Sequence, residues 1–378
     1  MGIYLDNSAT TPISKIAKEK MLEAIDSCWG NPSSFHKKGI EALEILDCSR
    51  KIIAEKIGAN EEEIFFTPGG TYSNNIAIFG AIEANKRKGN KIVTTCVEHP
   101  SVENVMKNLE EKGFEIVRLK VDKNCAVLKS DLLEAIDEKT ILVSMMMVNN
   151  EVGSIMPVDF IQKAVKKKNS PALIHCDAVQ GFGKIDIDVN SLKVDLMSVS
   201  SHKVNGPKGS GALYIRKGVK IKSPIFGGGQ ENDVAPGTQA MPAIAGFGGA
   251  VKDLPQSLNE KRKEIKKLKE LLVSQLEKID GVCINSPENS LEYILNFSLK
   301  KIPSQPMITF LSQHGIYVSG GSACAKGHRS YVLSAMGIPV EIIDSAIRIS
   351  MSRFTTEEEI LEAVKVIAFA EKNIRKSR

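Results

Sequence analysis

The chain has 378 residues, 42% of them hydrophobic and 25% charged, with a formal net charge of +5. That length exceeds one small core and predicts a large domain with a smaller companion of ordinary globular composition. The basic clusters at Lys166–Lys168 and Arg262–Lys269 read as solvated helix faces, which argues against a direct nucleic-acid partner.

The N-terminal stretch Met1–Asp6 turns polar at once, without a secretory signal. No apolar run approaches the roughly 18 residues that span a bilayer. A cytoplasmic protein with no membrane partner is expected. Leu5–Pro12 is polar and stops at a proline. Helices are predicted over 14–27 and 39–57, on either side of a turn, Gly30–His36, in which Asn31 and His36 can face a site or serve the turn alone. Strands and helices then alternate. Strands are expected over 64–67, 91–97, 115–121, 141–148, 172–178, 194–199 and 212–215. Helices are expected over 71–88, from about 100, over 130–137 and over 158–168. Repeated βα units predict a mostly parallel sheet covered on both faces. After residue 250 the composition shifts. A long charged helix over 260–279, strands over 293–299 and 346–351, and helices over 306–313 and 356–374 read as a smaller α+β domain. The expected division is 15–255 and 256–378, the second completed by residues 1–14.

The chemistry gathers where strands end. Asp195–Gly211 runs from a buried strand into Ser200-Ser201-His202-Lys203 and a glycine-rich turn. A lysine at the carboxyl end of such a strand, beside hydroxyls and a histidine that can hold phosphate, suggests a Schiff base with pyridoxal phosphate (PLP). An exposed turn lysine is the plain alternative. Gly69-Gly70-Thr71 joins a strand to a helix and suits a phosphate, though it is equally a turn and N-cap. His99 follows a strand, where it can stack on a cofactor ring and move a proton or simply cap the next helix. Asn150 can donate to a phenolate oxygen. Asp177 can keep a pyridine nitrogen protonated, with Gln180 beside it. Arg353 follows a strand and can clamp a carboxylate or lie on the surface.

The seven cysteines include no CxxC pair, so neither a disulfide framework nor a metal site is expected. Most read as small core residues. Cys324 instead lies among small residues in Ser319–His328, with Lys326, His328 and Arg329 nearby to favour a thiolate, and is a candidate nucleophile or a passive surface thiol.

Taken in order, the motifs Tyr4–Pro12, Asn31–Ser34 with His36, Gly69–Thr71 with Asn74-Asn75, Glu98-His99, Val148–Gly153, Asp177–Gln180, Ser200–Lys203 with Gly206–Gly209, Gly227–Glu231, Gly237-Thr238, Gly321–Cys324, Tyr331–Leu333 and Arg353–Glu359 resemble the cysteine desulfurases of the class V aminotransferase group, nearly end to end. The resemblance implies an α/β fold of type I among PLP-dependent transferases: a large domain with a mostly parallel sheet, and a smaller α+β C-terminal domain. It implies an enzyme that converts L-cysteine to L-alanine and carries the sulfur as a persulfide on Cys324 to an acceptor protein, an iron–sulfur scaffold or a tRNA-thiolation enzyme. Selenocysteine lyase, or another class V PLP aminotransferase, is the alternative. Position by position it implies Lys203 as the PLP lysine, Asp177 as the pyridinium partner, and His99 as the stacking and catalytic histidine. Asn150 and Gln180 become ligands of the ring 3-oxygen. Gly70, Thr71, Ser200 and His202 become phosphate ligands, and Asn31 with Arg353 the substrate carboxylate clamp. Thr238 matches a residue that reaches the other subunit's phosphate, which implies a homodimer. The chain departs from the family's usual pattern at Tyr72, Ala235 and Met156, where Glu, Arg and Gln are common, and the segment from Cys324 to Tyr331 is shorter.

Overall fold

Runs such as Thr140–Met146 and Leu196–Ser200 offer water no polar face, and both form strands buried at every position. The structure, a computed structural model, describes residues 2–320 and 329–374. Its strands in chain order are β1 (Ile3–Tyr4), β2 (Ile64–Thr67), β3 (Lys91–Thr95), β4 (Glu115–Leu119), β5 (Thr140–Met146), β6 (Leu173–Asp177), β7 (Leu196–Ser200), β8 (Gly211–Ile215), β9 (Val282–Ile284), β10 (Ile294–Leu299), β11 (Ile316–Tyr317) and β12 (Ala346–Ser350). Strands β2 to β8 form one sheet in the order β2-β8-β7-β6-β5-β3-β4. Within it β8 alone runs against its neighbours. The other pairs, β3 with β4 and β5, β5 with β6, and β6 with β7, are parallel, as repeated βα units require.

The helices between the strands start where side chains can satisfy their first N–H groups. Ser14 accepts from the Ala17 amide to open Lys15–Asp26. His99 accepts from the Ser101 amide to open Pro100–Glu111. Thr356 and Glu359 form a capping box for Glu357–Asn373.

A second, antiparallel sheet has the order β12-β10-β9, and β1 pairs in parallel with β11. The N-terminal segment also bridges to β12 through Asp6 and Ser350. One continuous apolar core joins the sheets: Val143 and Met197 of the large sheet belong to the same buried cluster as Phe297 and Ile347 of the small one.

Met241–Lys252 is a helix the sequence reading did not expect. Its glycines look like breakers, but they permit close packing. A Cβ at Gly246 would meet Met21 at 2.5 Å, and one at Gly248 would meet the Ser49 hydroxyl at 2.7 Å. The helix therefore presses against Lys15–Asp26 and Lys37–Ile57 with almost no spacing layer. Among the described residues no helix is long and apolar enough to cross a membrane, and no cluster of His, Cys, Asp and Glu is arranged to hold a metal ion.

Candidate active site

Parallel strands finish at one edge of a sheet, so the segments after β2, β3, β5, β6 and β7 meet there. They enclose a cavity of about 490 Å³ whose lining includes Gly70, Thr71, His99, Asn150, Asp177, Gln180, Ser200, His202 and Lys203. Residues as far apart in sequence as Ser8 and Arg348 face one space.

Lys203 lies in the short turn after β7. Its Nζ donates to the backbone oxygens of Ser8, at 2.6 Å, and Ala9, at 2.7 Å. The polar N-terminal segment thus forms one wall of the cavity and fixes the lysine. Asp177 closes β6 and is 6% exposed. Its Oδ2 accepts from Asn74 Nδ2 at 2.8 Å, and its Oδ1 accepts from the Val179 amide at 3.0 Å.

His99 both caps a helix and lines the cavity. The Ser101 amide donates to Nδ1 at 3.1 Å, which makes Nδ1 an acceptor and leaves the proton of the neutral ring on Nε2. Burial lowers its pKa below the usual histidine value, Asp177 opposes that shift and Lys203 adds to it. His202 is pushed down to about 4 by burial and by Lys203, Lys208 and Lys184.

Gly69 has φ of 151°, and the 16-residue helix Gly70–Asn85 starts immediately after it. A helix start supplies free N–H groups and a positive dipole end to an anion. A Cβ at Gly70 would meet Val179 at 2.7 Å, so the tight turn requires a glycine. Lys208 lines the same end of the chain's glycine turn and also faces the cavity. Ser8 Oγ, Asn150 Oδ1 and Ser200 Oγ are buried cavity atoms with no hydrogen-bond partner. Buried polar atoms without partners are costly, and their grouping here suits a polar ligand.

Four expected residues do not join this cavity. Arg353, expected at a substrate carboxylate, is instead held by Asp253: its guanidinium donates to the Asp253 backbone oxygen and lies 2.5 Å from Oδ2. It lines a separate void of about 20 Å³. The arginine that lines the cavity is Arg348, in the middle of β12 and 1% exposed. Arg348 donates to the Asn150 backbone oxygen and to Asp6 Oδ1, both at 2.8 Å, while its buried Nε has no partner. Asn31 is exposed and accepts from the Ser33 amide as an ordinary turn residue, and His36 caps the next helix. Thr238 is exposed outside the cavity. Cys324, with Lys326 and His328, lies outside the described residues.

The family described as "Aminotransferase class-V" matches residues 3–362. The chain belongs to the class-V aminotransferase family. Within that family it is 40% identical to the "Cysteine desulfurase IscS" of Methanosarcina thermophila, over 97% of this chain and 91% of that one. It is 41% identical to the protein of the same name from Buchnera aphidicola, over 97% and 91%. A solved "NifS-like protein" superposes with a TM-score of 0.94 at 40% identity, covering 99% of this chain and 100% of the other. "SspA in complex with cysteine" superposes with a TM-score of 0.82 at 32% identity, covering 93% and 99%. The likeness in fold therefore includes both the mostly parallel sheet and the C-terminal sheet.

Proposed function

We propose that the chain is a PLP-dependent cysteine desulfurase, which takes the sulfur of L-cysteine onto Cys324 and releases L-alanine. The observation that carries this reading is the convergence of Lys203, Asp177, His99 and the Gly70 helix start in one cavity. The relatives named cysteine desulfurase, and a fold relative solved with cysteine bound, support the substrate.

The cavity fits the cofactor in three independent ways. The Gly69–Thr71 helix start, with Ser200, His202 and Lys208, suits a phosphate. The orphaned Ser8 Oγ is a buried cavity hydroxyl without a partner that can donate to a ligand. The carboxylate of Asp177, fixed by Asn74 and the Val179 amide, suits a protonated ring nitrogen. Lys203 would hold the group covalently through Nζ, Asn150 and Gln180 would address its ring oxygen, and His99 would lie against its face. Bound there, PLP supplies an electron sink for negative charge at the substrate Cα.

The chain's own residues do the rest. Arg348, the arginine among the cavity-lining residues, would bind and orient the substrate carboxylate. Once the substrate amine has replaced it on the group, Lys203 Nζ would take the Cα proton. Ser8 and Ala9, as acceptors, keep that nitrogen at the strand end. His99 holds a proton on Nε2 at the ring face. The transfer balances: the Cβ–S bond of L-cysteine breaks, an S–S bond forms at Cys324, and the hydrogens are retained in L-alanine and the persulfide. A sulfur acceptor protein then takes the persulfide sulfur by thiol exchange, with iron–sulfur assembly or tRNA thiolation as its destination.

The same reading includes a homodimer. Phe35 is 99% exposed, Phe226 is 88% exposed and Trp29 is 67% exposed, while Ile16 and Ile25 project from the helix Lys15–Asp26. Such apolar exposure suits a partner subunit, and Thr238 lies outside its own cavity, as a residue serving a second subunit would. It also includes a division into residues 15–255 and 256–378, and a cytoplasmic location, where a reducing medium keeps thiols free. The deciding experiment is an assay of L-alanine and sulfide from L-cysteine with a thiol reductant, alongside borohydride reduction of the yellow protein and mapping of the labelled peptide. Alanine formation and a label on Lys203 support the reading. No alanine, or a label on another lysine, overturns it.

A further inference from the structure

Lys184 is a buried lysine that no catalytic step above uses. It is 7% exposed and lies four residues beyond Gln180 in the turn segment after β6. Its Nζ donates to Gln180 Oε1 at 3.1 Å. The other end of the same amide, Gln180 Nε2, donates to the Ser8 backbone oxygen at 3.0 Å, the oxygen that also accepts from Lys203 Nζ. Among the described residues no carboxylate pairs with Lys184. Burial pushes its pKa down to about 7, and the like charges of Lys203 and Arg348 push the same way. A buried amine without a carboxylate is costly to keep, so a bland core role would be served better by an apolar side chain.

The hydrogen-bond chemistry says what the amine does. A glutamine amide has one acceptor end and one donor end, and either can face a given direction. Whether ammonium or amine, Lys184 can donate to Gln180, and an ammonium can do nothing else. It therefore claims Oε1 and turns Nε2 the other way. One Nε2 hydrogen goes to Ser8, and the second is left for the cavity that Gln180 lines.

We propose that Lys184 is a positioning residue that locks the Gln180 amide with its N–H end toward the cavity, so that the site offers a donor to an anionic ring oxygen of the cofactor. This rests on the PLP reading above. Lys184 touches neither substrate nor cofactor, and its effect passes entirely through Gln180 and the shared Ser8 oxygen.

The test is a cycle between variant and ligand, read as cofactor affinity of the stripped full chain by absorption titration. The ligands are PLP and its analogue lacking the ring 3-hydroxyl. Lys184→Met removes the donor and should weaken PLP roughly fivefold, the worth of one net hydrogen bond, while changing the analogue by less than about twofold. Lys184→Gln restores a neutral donor and should return PLP to within about twofold of wild type. Gln180→Glu gives Lys184 a carboxylate partner and takes the donor from the cavity, so it too should lose affinity for PLP and not for the analogue. It serves as the second measurement if Lys184→Met does not fold. Equal losses with both ligands, or none with either, overturn the proposal while PLP still binds the wild type. Failure of the wild type to take PLP overturns the underlying reading as well and is seen in the first titration.

Discussion

Arg348 Nη1 donates to the backbone oxygen of Asn150 across 2.8 Å, tying the middle of β12 to the loop after β5. A guanidinium held on one side by a carbonyl and by Asp6 is pre-oriented, so little entropy remains to be lost when a carboxylate arrives. Arg348→Lys should raise KM for L-cysteine by about tenfold or more, because an ammonium cannot reproduce the planar fork. Cofactor affinity should change little. Steady-state kinetics on the PLP-saturated variant check this, and an unchanged KM removes Arg348 from the substrate site.

Arg353 should behave differently. Its side chain is 8% exposed and paired to Asp253, a contact that joins the segment after β12 to the end of the helix Met241–Lys252. Arg353→Met should lower unfolding stability by about 1–3 kcal/mol, since Asp253 loses its buried partner. KM for L-cysteine should stay near wild type. Urea unfolding read beside the kinetics separates the two arginines.

Much of the site was legible because chemistry in a parallel sheet collects at strand ends. Lys203, Asp177, His99 and Asn150 each follow an apolar run, and that position alone brings them together. Arg348 was hidden by the opposite circumstance. It stands inside a strand, in Ala346-Ile-Arg-Ile-Ser350, where alternation predicts packing, and the sign of the role proposed for it is that a guanidinium is buried at all. Arg353 pairs with Asp253, 100 residues away, a distance that no local pattern crosses. Asn31 and His36 illustrate the remaining ambiguity: turn and cap chemistry uses the same residues that sites use, and here the turn and the cap claim them.

Glu98 supplies a pH signature. Its Oε1 accepts from Thr95 Oγ1 at 2.7 Å and from the Met146 amide at 3.0 Å, while Oε2 is buried without a partner. Burial raises its pKa from 4.5 to about 8. Between those values the folded chain keeps a proton that the unfolded chain has released, so this contribution to stability is whole below about pH 4.5 and is lost as pH rises toward 8. Histidines His175 and His202, both pushed down to about 4 by burial, act in the other direction: their contribution is lost as pH falls from 6.5 toward 4. Comparing Glu98→Gln with wild type cancels the histidines. The stability of the variant relative to wild type should rise by about 1 kcal/mol or more between about pH 5.5 and 7.5, measured by urea unfolding at each pH. A flat difference would mean that Glu98 is ionised in the fold.

Gly248 tests the close helix packing. A Cβ there would lie 2.7 Å from Ser49 Oγ and 3.0 Å from the Ser49 Cα, so side chain and backbone are both in the way. Helix propensity favours alanine over glycine by about 1 kcal/mol. Overpacking should outweigh that gain, and Gly248→Ala should destabilise by about 1–3 kcal/mol. Adding Ser49→Gly should recover part of the loss, which a thermal unfolding series would detect. Stabilisation by Gly248→Ala alone would mean that the helices separate without cost.

Cys324 should be needed for sulfur removal and not for holding the cofactor. The residues proposed to hold PLP lie in the segments after β2, β3, β5, β6 and β7, and the described residue that follows the Cys324 segment, Arg329, is not among those lining the cavity and pairs with Asp344. Just beyond it, Ser330 Oγ donates to Glu151 Oε2 and Tyr331 OH donates to the Glu98 backbone oxygen, both at 2.5 Å. Those two bonds fasten Ser330 and Tyr331 to the immediate chain neighbours of Asn150 and His99, without occupying any group proposed to bind PLP. Cys324→Ala should therefore keep the yellow colour, the same cofactor affinity and the Lys203 label on borohydride reduction. It should still show a spectral change on adding L-cysteine, while alanine and sulfide production fall to background. Tyr331→Phe, which removes one fastening and leaves the thiol, should lower kcat with the colour retained, by about fivefold for one net hydrogen bond. Alanine production by Cys324→Ala near the wild-type rate would show that the sulfur leaves without this thiol, and the assignment of Cys324 as its acceptor would fall.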